Sequence, residues 1–312
     1  MLRVMLLAIF IFSFFYSAFA KVKIATTIKP LADIAKEICK ENCEVSYVIP
    51  PNVSLHNYEY TYSDLKKIYS ADFFIFIGSG EPQIGNIISN IKKEKLIPIY
   101  KIDGIFLIKE YEFEENSHIE HKHYNKTFHP AVWLDPENAK KIAFYIVQKL
   151  SIKDKVNENK YLLNYKNFEK NVDKLIVYGK SKLSKLKNKN FISYHYLYPY
   201  FTKRFSLNYL AVIELGHGKK PTIKHLNHII KLIKTKNIPA IFVSKQFYNQ
   251  RYINLIKENT DVSIIKLDPF GENKNYVETL ESIIDKVYKG LSKKNEWLFK
   301  ATYKRAVCGN RR

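Results

Sequence analysis

Ile152 to Lys187 is the stretch that most limits what this chain can fold into. It lies in the proline-free run between Pro136 and Pro199, and from Tyr161 onward its apolar residues fall at Tyr161, Tyr165, Phe168, Val172, Leu175, Ile176, Leu183 and Leu186. Steps of three and four put them on one stripe of an α-helix, with Lys, Asn, Glu and Asp on the remaining face. An unbroken helix from Asp154 to Leu186 would be about 50 Å long at roughly 1.5 Å per residue, longer than a small domain is wide. The spacing therefore predicts a spanning helix with one folded unit on each side. Gly179 leaves a second reading open, a shorter surface helix that ends there, because glycine inside a helix costs about 1 kcal/mol relative to alanine.

The flanking segments carry matching patterns. Before the helix, strands are expected at 21–26, 44–48, 72–77 and 96–100, with helices at 28–39, from Ser63 onward, around 83–93 and at 137–150. The nearly all-apolar run from Asp72 to Ile77 reads as a strand buried on both faces, as in a parallel sheet. After the helix, strands at 190–194, 209–213, 240–244 and 262–267 alternate with helices at 197–205, 222–235, 248–258 and 275–291. The expected fold is α/β: two doubly wound α/β lobes, 21–151 and 189–291, joined by one long backbone helix over 152–188, with a cleft between them. No GxGxxG follows a strand and no GxxxxGK precedes a Ser or Thr, so neither nucleotide-phosphate fingerprint is present.

Residues 1–20 belong to neither lobe. Arg3, the apolar run from Val4 to Phe15 and the small-x-small Ala18-Phe19-Ala20 have the order of a cleaved signal peptide. The mature chain is expected to begin at Lys21 in the periplasm or outside the cell. No cysteine stands there to carry a lipid, and no later apolar run is long enough to span a membrane. The formal charge is +21, from 51 basic and 30 acidic residues, but the lysines are scattered along helix faces, so no nucleic-acid partner is expected. Cys39 and Cys43 can pair in an oxidising compartment if the chain bends after the first helix. They can also be read as a soft-metal pair, although no second cysteine pair or nearby histidine completes one. Cys308 lies in a basic tail, 292–312, that shows no packing pattern.

The residues that carry chemistry sit at strand ends. His56 follows the second strand, His195 follows the first strand of the second lobe, and Asp268 follows its last strand. Ligands in open α/β sheets bind beyond the carboxyl ends of the strands, so these three are expected to converge on the cleft. Imidazole nitrogen with carboxylate oxygen suits zinc, manganese, iron or nickel. Each residue also has an ordinary reading: a surface loop histidine, a buried hydrogen-bonded histidine, and a turn residue before Pro269. The segment from Tyr111 to His129, with Glu112, Glu114, Glu115, Glu120, His118, His121, His123 and His129, has little to bury and reads as a loop.

The run from Pro50 to Glu59 around His56, followed by Ser63-Asp64 and Ala71-Asp72, resembles the first metal-ligand region of the zinc and manganese receptors of bacterial ABC importers. Trp133-Leu134-Asp135-Pro136 resembles their second region. Ser193-Tyr194-His195-Tyr196-Leu197 with Tyr200-Phe201 looks like the third, and Leu267-Asp268-Pro269 like the fourth. The likeness keeps this order from Lys21 to about Leu291. It implies a monomeric receptor that captures a divalent metal and hands it to a membrane permease.

One position departs from that pattern. The second ligand is a histidine two residues before the tryptophan, and here Ala131 stands there. His129, two residues earlier, is the expected replacement, with water or a histidine of the 111–129 loop as the alternatives. His195, together with the loop histidines His118, His121 and His123, makes the chain similar to the zinc branch, with manganese as the alternative. Glu59 is an expected hydrogen-bond partner for a ligand histidine. An exported zinc enzyme is the rival class, because a vacant fourth position is what catalytic zinc keeps for water, but no HExxH motif or placed general base supports it. Binding through histidines is expected to weaken below about pH 6, since imidazole must be neutral to coordinate.

Overall fold

The computed structural model describes residues 21–55, 58–109, 128–214, 220–245 and 248–292. The expected signal peptide, His56, the loop histidines His118, His121 and His123, and the tail from 293 onward lie outside the described residues.

The first lobe runs β1 (Val22–Ile28), α1 (Lys29–Cys39), β2 (Cys43–Ile49), α2 (Tyr62–Ser70), β3 (Phe73–Phe76), α3 (Ile84–Ile88) and β4 (Leu96–Pro98). After α4 (Pro136–Lys153) and the backbone helix α5 (Glu158–Ser184) come β5 (Asn190–Ser193), α6 (Pro199–Arg204), β6 (Asn208–Val212), α7 (Ile223–Thr235), β7 (Ala240–Ser244), α8 (Gln250–Asn259), β8 (Ser263–Leu267) and α9 (Tyr276–Leu291). The sheets have the orders β2-β1-β3-β4 and β6-β5-β7-β8, with every strand pairing parallel. The expected two-lobed α/β architecture is therefore present. β3 shows why its sequence is apolar throughout: all four residues are buried in the middle of the sheet.

Local chemistry sets the helix starts. Thr61 and Asp64 form a reciprocal capping box on α2, and Asn275 and Glu278 form one on α9. Asp135 caps α4, with Pro136 at its first position. α3 is much shorter than the helix expected over 83–93. Ser89 and Asn90 both turn their side chains onto the Asn86 carbonyl, a local bond that competes with helix continuation.

The backbone helix differs from its expected bounds. Asp154 accepts hydrogen bonds from Asn157 and from the Tyr161 hydroxyl, at 2.8 and 2.6 Å, and holds a one-turn break, so α5 starts at Glu158. Its 27 residues span about 40 Å. Gly179 does not end it. The residue is buried mid-helix, and a Cβ there would stand 2.4 Å from the Phe205 ring and 2.8 Å from Ile284 Cδ1. Glycine is kept because α5 passes so close to the second lobe.

Tyr161, Phe168, Val172, Leu175, Ile176 and Leu183 fill the buried stripe. They join one core that runs from the first sheet through α1, α4 and α5 to α9 and one face of the second sheet. A separate core lies between the other face of that sheet and the helices α7 and α8. Cys39 and Cys43 are both buried as free thiols, so the expected pairing is not formed in this structure.

Candidate metal centre

In each sheet the chain reverses direction across the order at the middle pair, β1 with β3 and β5 with β7. The crevice beyond the strand ends there is where open α/β sheets hold ligands. His195 stands two residues past β5. The β5–β6 ladder continues beyond the strands, with Ile213 N–H on the Ser193 carbonyl and Glu214 N–H on the Tyr194 carbonyl, at 3.0 and 2.9 Å. This places Glu214 beside His195, and the imidazole Nδ1 stands in close contact with the Glu214 carboxylate. The hydroxyls of Ser193 and Tyr209 both donate to the His195 carbonyl, so backbone and ring are each held.

Asp268 begins a turn. Its carboxylate accepts the N–H groups of Phe270, Gly271 and Glu272 at 3.3, 3.0 and 3.1 Å. Gly271, at φ +64°, is the residue that lets this turn close, because a Cβ would stand 2.0 Å from Thr279 Oγ1.

His129 is 4% exposed. Its Nε2–H donates to the Tyr196 carbonyl at 2.9 Å, and its Nδ1 accepts the Ala131 N–H at 3.3 Å. Ala131 itself is fully buried, so a methyl group fills the place of the absent histidine. Among the described residues no three His, Cys, Asp or Glu side chains gather as a metal-ligand group. His56, expected to converge with His195 and Asp268, lies outside the described residues, which leaves His129, His195 and Asp268 to be placed. Each side chain is turned to a partner of its own: the Tyr196 carbonyl, the Glu214 carboxylate and the 270–272 amides. Glu59, expected to support a ligand histidine, is exposed.

The segment from Phe128 to Asp135 is clamped to the second lobe. Trp133 donates its indole N–H to the Pro269 carbonyl at 3.0 Å, and Tyr276 donates its hydroxyl to the Trp133 carbonyl at 2.7 Å. Tyr200 donates to the His129 carbonyl at 2.9 Å. Arg204 forks onto Asp135 with bonds of 2.7 and 2.8 Å. These contacts tie the segment bearing His129 to the turn that begins at Asp268.

Glu81 supports the same region from below. Its carboxylate accepts the N–H groups of Ile77 and Gly78 at 2.9 and 2.7 Å, holding the loop from which Ser79 donates to the Phe128 carbonyl. Burial pushes its pKa up to about 7, against the pull of these bonds. A carboxyl raised in the folded state stabilises most below its unfolded value near 4.5, and the contribution fades as pH rises through about 7. At one pKa unit per 1.36 kcal/mol, ionisation costs on the order of 3 kcal/mol. Urea unfolding at pH 5 and pH 8 is expected to show a loss of about that size that is absent from Glu81→Gln. Parallel profiles in the two proteins would rule this out.

Sequence reasoning missed Glu214, Arg204 and Glu81. The signal for Glu214 was present, because it follows a strand end just as His195 and Asp268 do. Arg204 and Glu81 carried none, since their partners are distant or backbone groups.

The chain matches the family model described as "Zinc-uptake complex component A periplasmic" over residues 24–290. It belongs to that family. The family comprises substrate-binding proteins of metal ABC transporters, not enzymes, and the exported-enzyme alternative falls with it. The manganese ABC transporter substrate-binding lipoprotein PsaA of Streptococcus pneumoniae is 24% identical over 288 residues, covering 88% of this chain and 90% of that protein. The high-affinity zinc uptake system protein ZnuA of Haemophilus ducreyi is 26% identical over 288 residues, covering 85% and 92%. A crystal structure of ZnuA shares the fold with a TM-score of 0.75 at 22% identity, covering 87% of this chain and all of that one. No helix among the described residues is long and apolar enough to cross a membrane.

Proposed function

We propose that this family member is the periplasmic receptor of a zinc importer: a monomer that captures zinc in the cleft and delivers it to the ABC permease in the membrane. The observation that carries the reading is the His195–Glu214 pair at the switch point of the second sheet. A carboxylate that takes the Nδ1–H of a histidine leaves Nε2 as the ligand atom, orients the ring and raises its basicity. His56, His195 and Asp268 are the proposed ligands. His129 joins them only by exchanging its Ala131 contact, the longer of its two hydrogen bonds, for the metal.

Zinc is favoured by the nitrogen donors, since a tetrahedral set of imidazole and carboxylate suits it. Manganese is the second reading, favoured by the carboxylates Glu214 and Asp268, each just past the carboxyl end of a strand of the second sheet, because harder oxygen sets suit manganese. The relatives' names include both metals, so the donor set has to decide.

The test is metal content and affinity of the chain from Lys21 onward, with zinc competed against manganese, for wild type and His129→Ala. One zinc per chain, held against excess manganese, is expected. His129→Ala is expected to leave the affinity near that of wild type, because both ring nitrogens are engaged by backbone groups, the Tyr196 carbonyl and the Ala131 N–H. A larger loss would place His129 in the coordination sphere, and preference for manganese would establish the second reading. Absence of stoichiometric metal in the wild type would overturn the receptor reading.

A further inference from the structure

We propose that Lys29 is a positioning residue of the metal site, a latch by which the first lobe holds the Asp268 turn of the second lobe and so slows release of the bound metal. The inference deepens the receptor reading and rests on it. Lys29 is the first residue of α1 and follows the end of β1, at the middle pair of the first sheet. Its ammonium donates to the Asp33 carboxylate, one helical turn on, and to the Lys274 carbonyl of the second lobe at 2.7 Å. Both side chains of the ion pair are nearly buried, at 11% and 8% exposure.

Stability of the helix does not call for this lysine. A cation in the first turn of a helix opposes the macrodipole. Taking an ammonium out of water also costs free energy that only close partners offset. Asp33 supplies one partner from within α1. The other is a backbone carbonyl 245 residues away, so the contact joins parts of the chain that local structure does not bring together. A hydrogen bond from a charged donor is among the stronger kinds.

The place of the Lys274 carbonyl gives the contact its consequence. The loop from Asp268 to Asn275 carries the proposed ligand at its start and the cap of α9 at its end. Trp133 fastens it near the start, through the Pro269 carbonyl, and Lys29 fastens it near the end. Between the two fastenings the Asp268 carboxylate accepts the Gly271 and Glu272 amides, and the Gly271 carbonyl accepts the Lys274 amide at 3.1 Å. These bonds couple the ends of the loop, so freeing its far end loosens Asp268. His56 falls in the sequence of the first lobe and Asp268 in that of the second. Metal-ligand distances must hold to about 0.2 Å, so a latch between the lobes guards the spacing of the site.

The test compares the chain from Lys21 onward with its double variant Lys29→Met/Asp33→Asn. Removing both charges avoids leaving a buried carboxylate alone, so the variant is expected to fold and to keep the metal-free melting midpoint close to that of wild type. Without metal, the Gly271, Glu272 and Lys274 amides are expected to exchange hydrogen about tenfold faster in the variant, the scale of one lost hydrogen bond from a charged donor. With zinc bound, transfer of the metal to an excess of chelator is expected to speed up by a similar factor, with little change in the association rate. Unchanged amide exchange would overturn the latch. Faster exchange with an unchanged zinc dissociation rate, or a lowered midpoint as the only difference, would overturn its role in holding the metal. A wild type that binds no stoichiometric zinc would overturn the receptor reading, and the exchange rates, which need no metal, would still decide the latch.

Discussion

Replacing His195 with alanine is expected to abolish stoichiometric zinc binding, while Glu214→Gln is expected to weaken it by about ten- to hundredfold with the fold intact. The first change removes a ligand. The second keeps size and shape but replaces a charged acceptor of the imidazole Nδ1–H with a neutral amide. The Gln side chain can still accept through its oxygen, yet it can equally turn its NH₂ group toward the ring, so the tautomer and tilt of His195 lose their constraint. The backbone around the pair should hold, because the Ser193 and Tyr209 hydroxyls fix the His195 carbonyl independently of Glu214. Competition with a chromophoric chelator would read the affinities, and thermal unfolding without metal would show that both variants fold. Wild-type affinity in Glu214→Gln would mean that the pair does not serve the metal.

Arg204→Met is expected to cost about 3–5 kcal/mol of stability, the scale of breaking a buried ion pair from one side. Asp135 is 1% exposed, and the Arg204 guanidinium supplies two of its hydrogen bonds. Among the described residues, the carboxylate without Arg204 keeps only the Glu137 amide hydrogen bond that it accepts as the cap of α4. The hydrogen bonds that Arg204 donates to Asp135 are the foremost cause that holds its pKa above the usual value. Asp135→Asn added to Arg204→Met should recover part of the loss, because the uncompensated charge is then gone. Urea unfolding of wild type, single and double variants forms the cycle. A single-variant loss below about 1 kcal/mol would show instead that the pair behaves as an exposed one.

Sequence and structure agree most closely where information is local. Alternation and the three-four stripe of α5 depend on residues a few positions apart, so element types and the two-lobed order were legible. The run of buried aromatics and isoleucine in β3 marked a parallel sheet for the same reason. The break at Asp154 was less legible, because no proline or glycine marks it and the bonds from Asn157 and the Tyr161 hydroxyl show where the turn closes. Gly179 carries opposite meanings in sequence and structure. Its propensity suggests an end, and the closeness of Phe205 and Ile284 explains its place in the middle.

The candidate site divides in the same way. Sequence by itself determined which residues stand at the strand ends, His195 and Asp268 among them, and that Ala131 cannot bind a metal. Only the tertiary structure decided that His129 faces the Tyr196 carbonyl, 67 residues away, that Glu214 holds His195, and that Arg204 answers Asp135 across 69 residues. The reason is physical. A buried polar atom is stable only with a partner, and the identity of that partner is set by which elements the fold brings together.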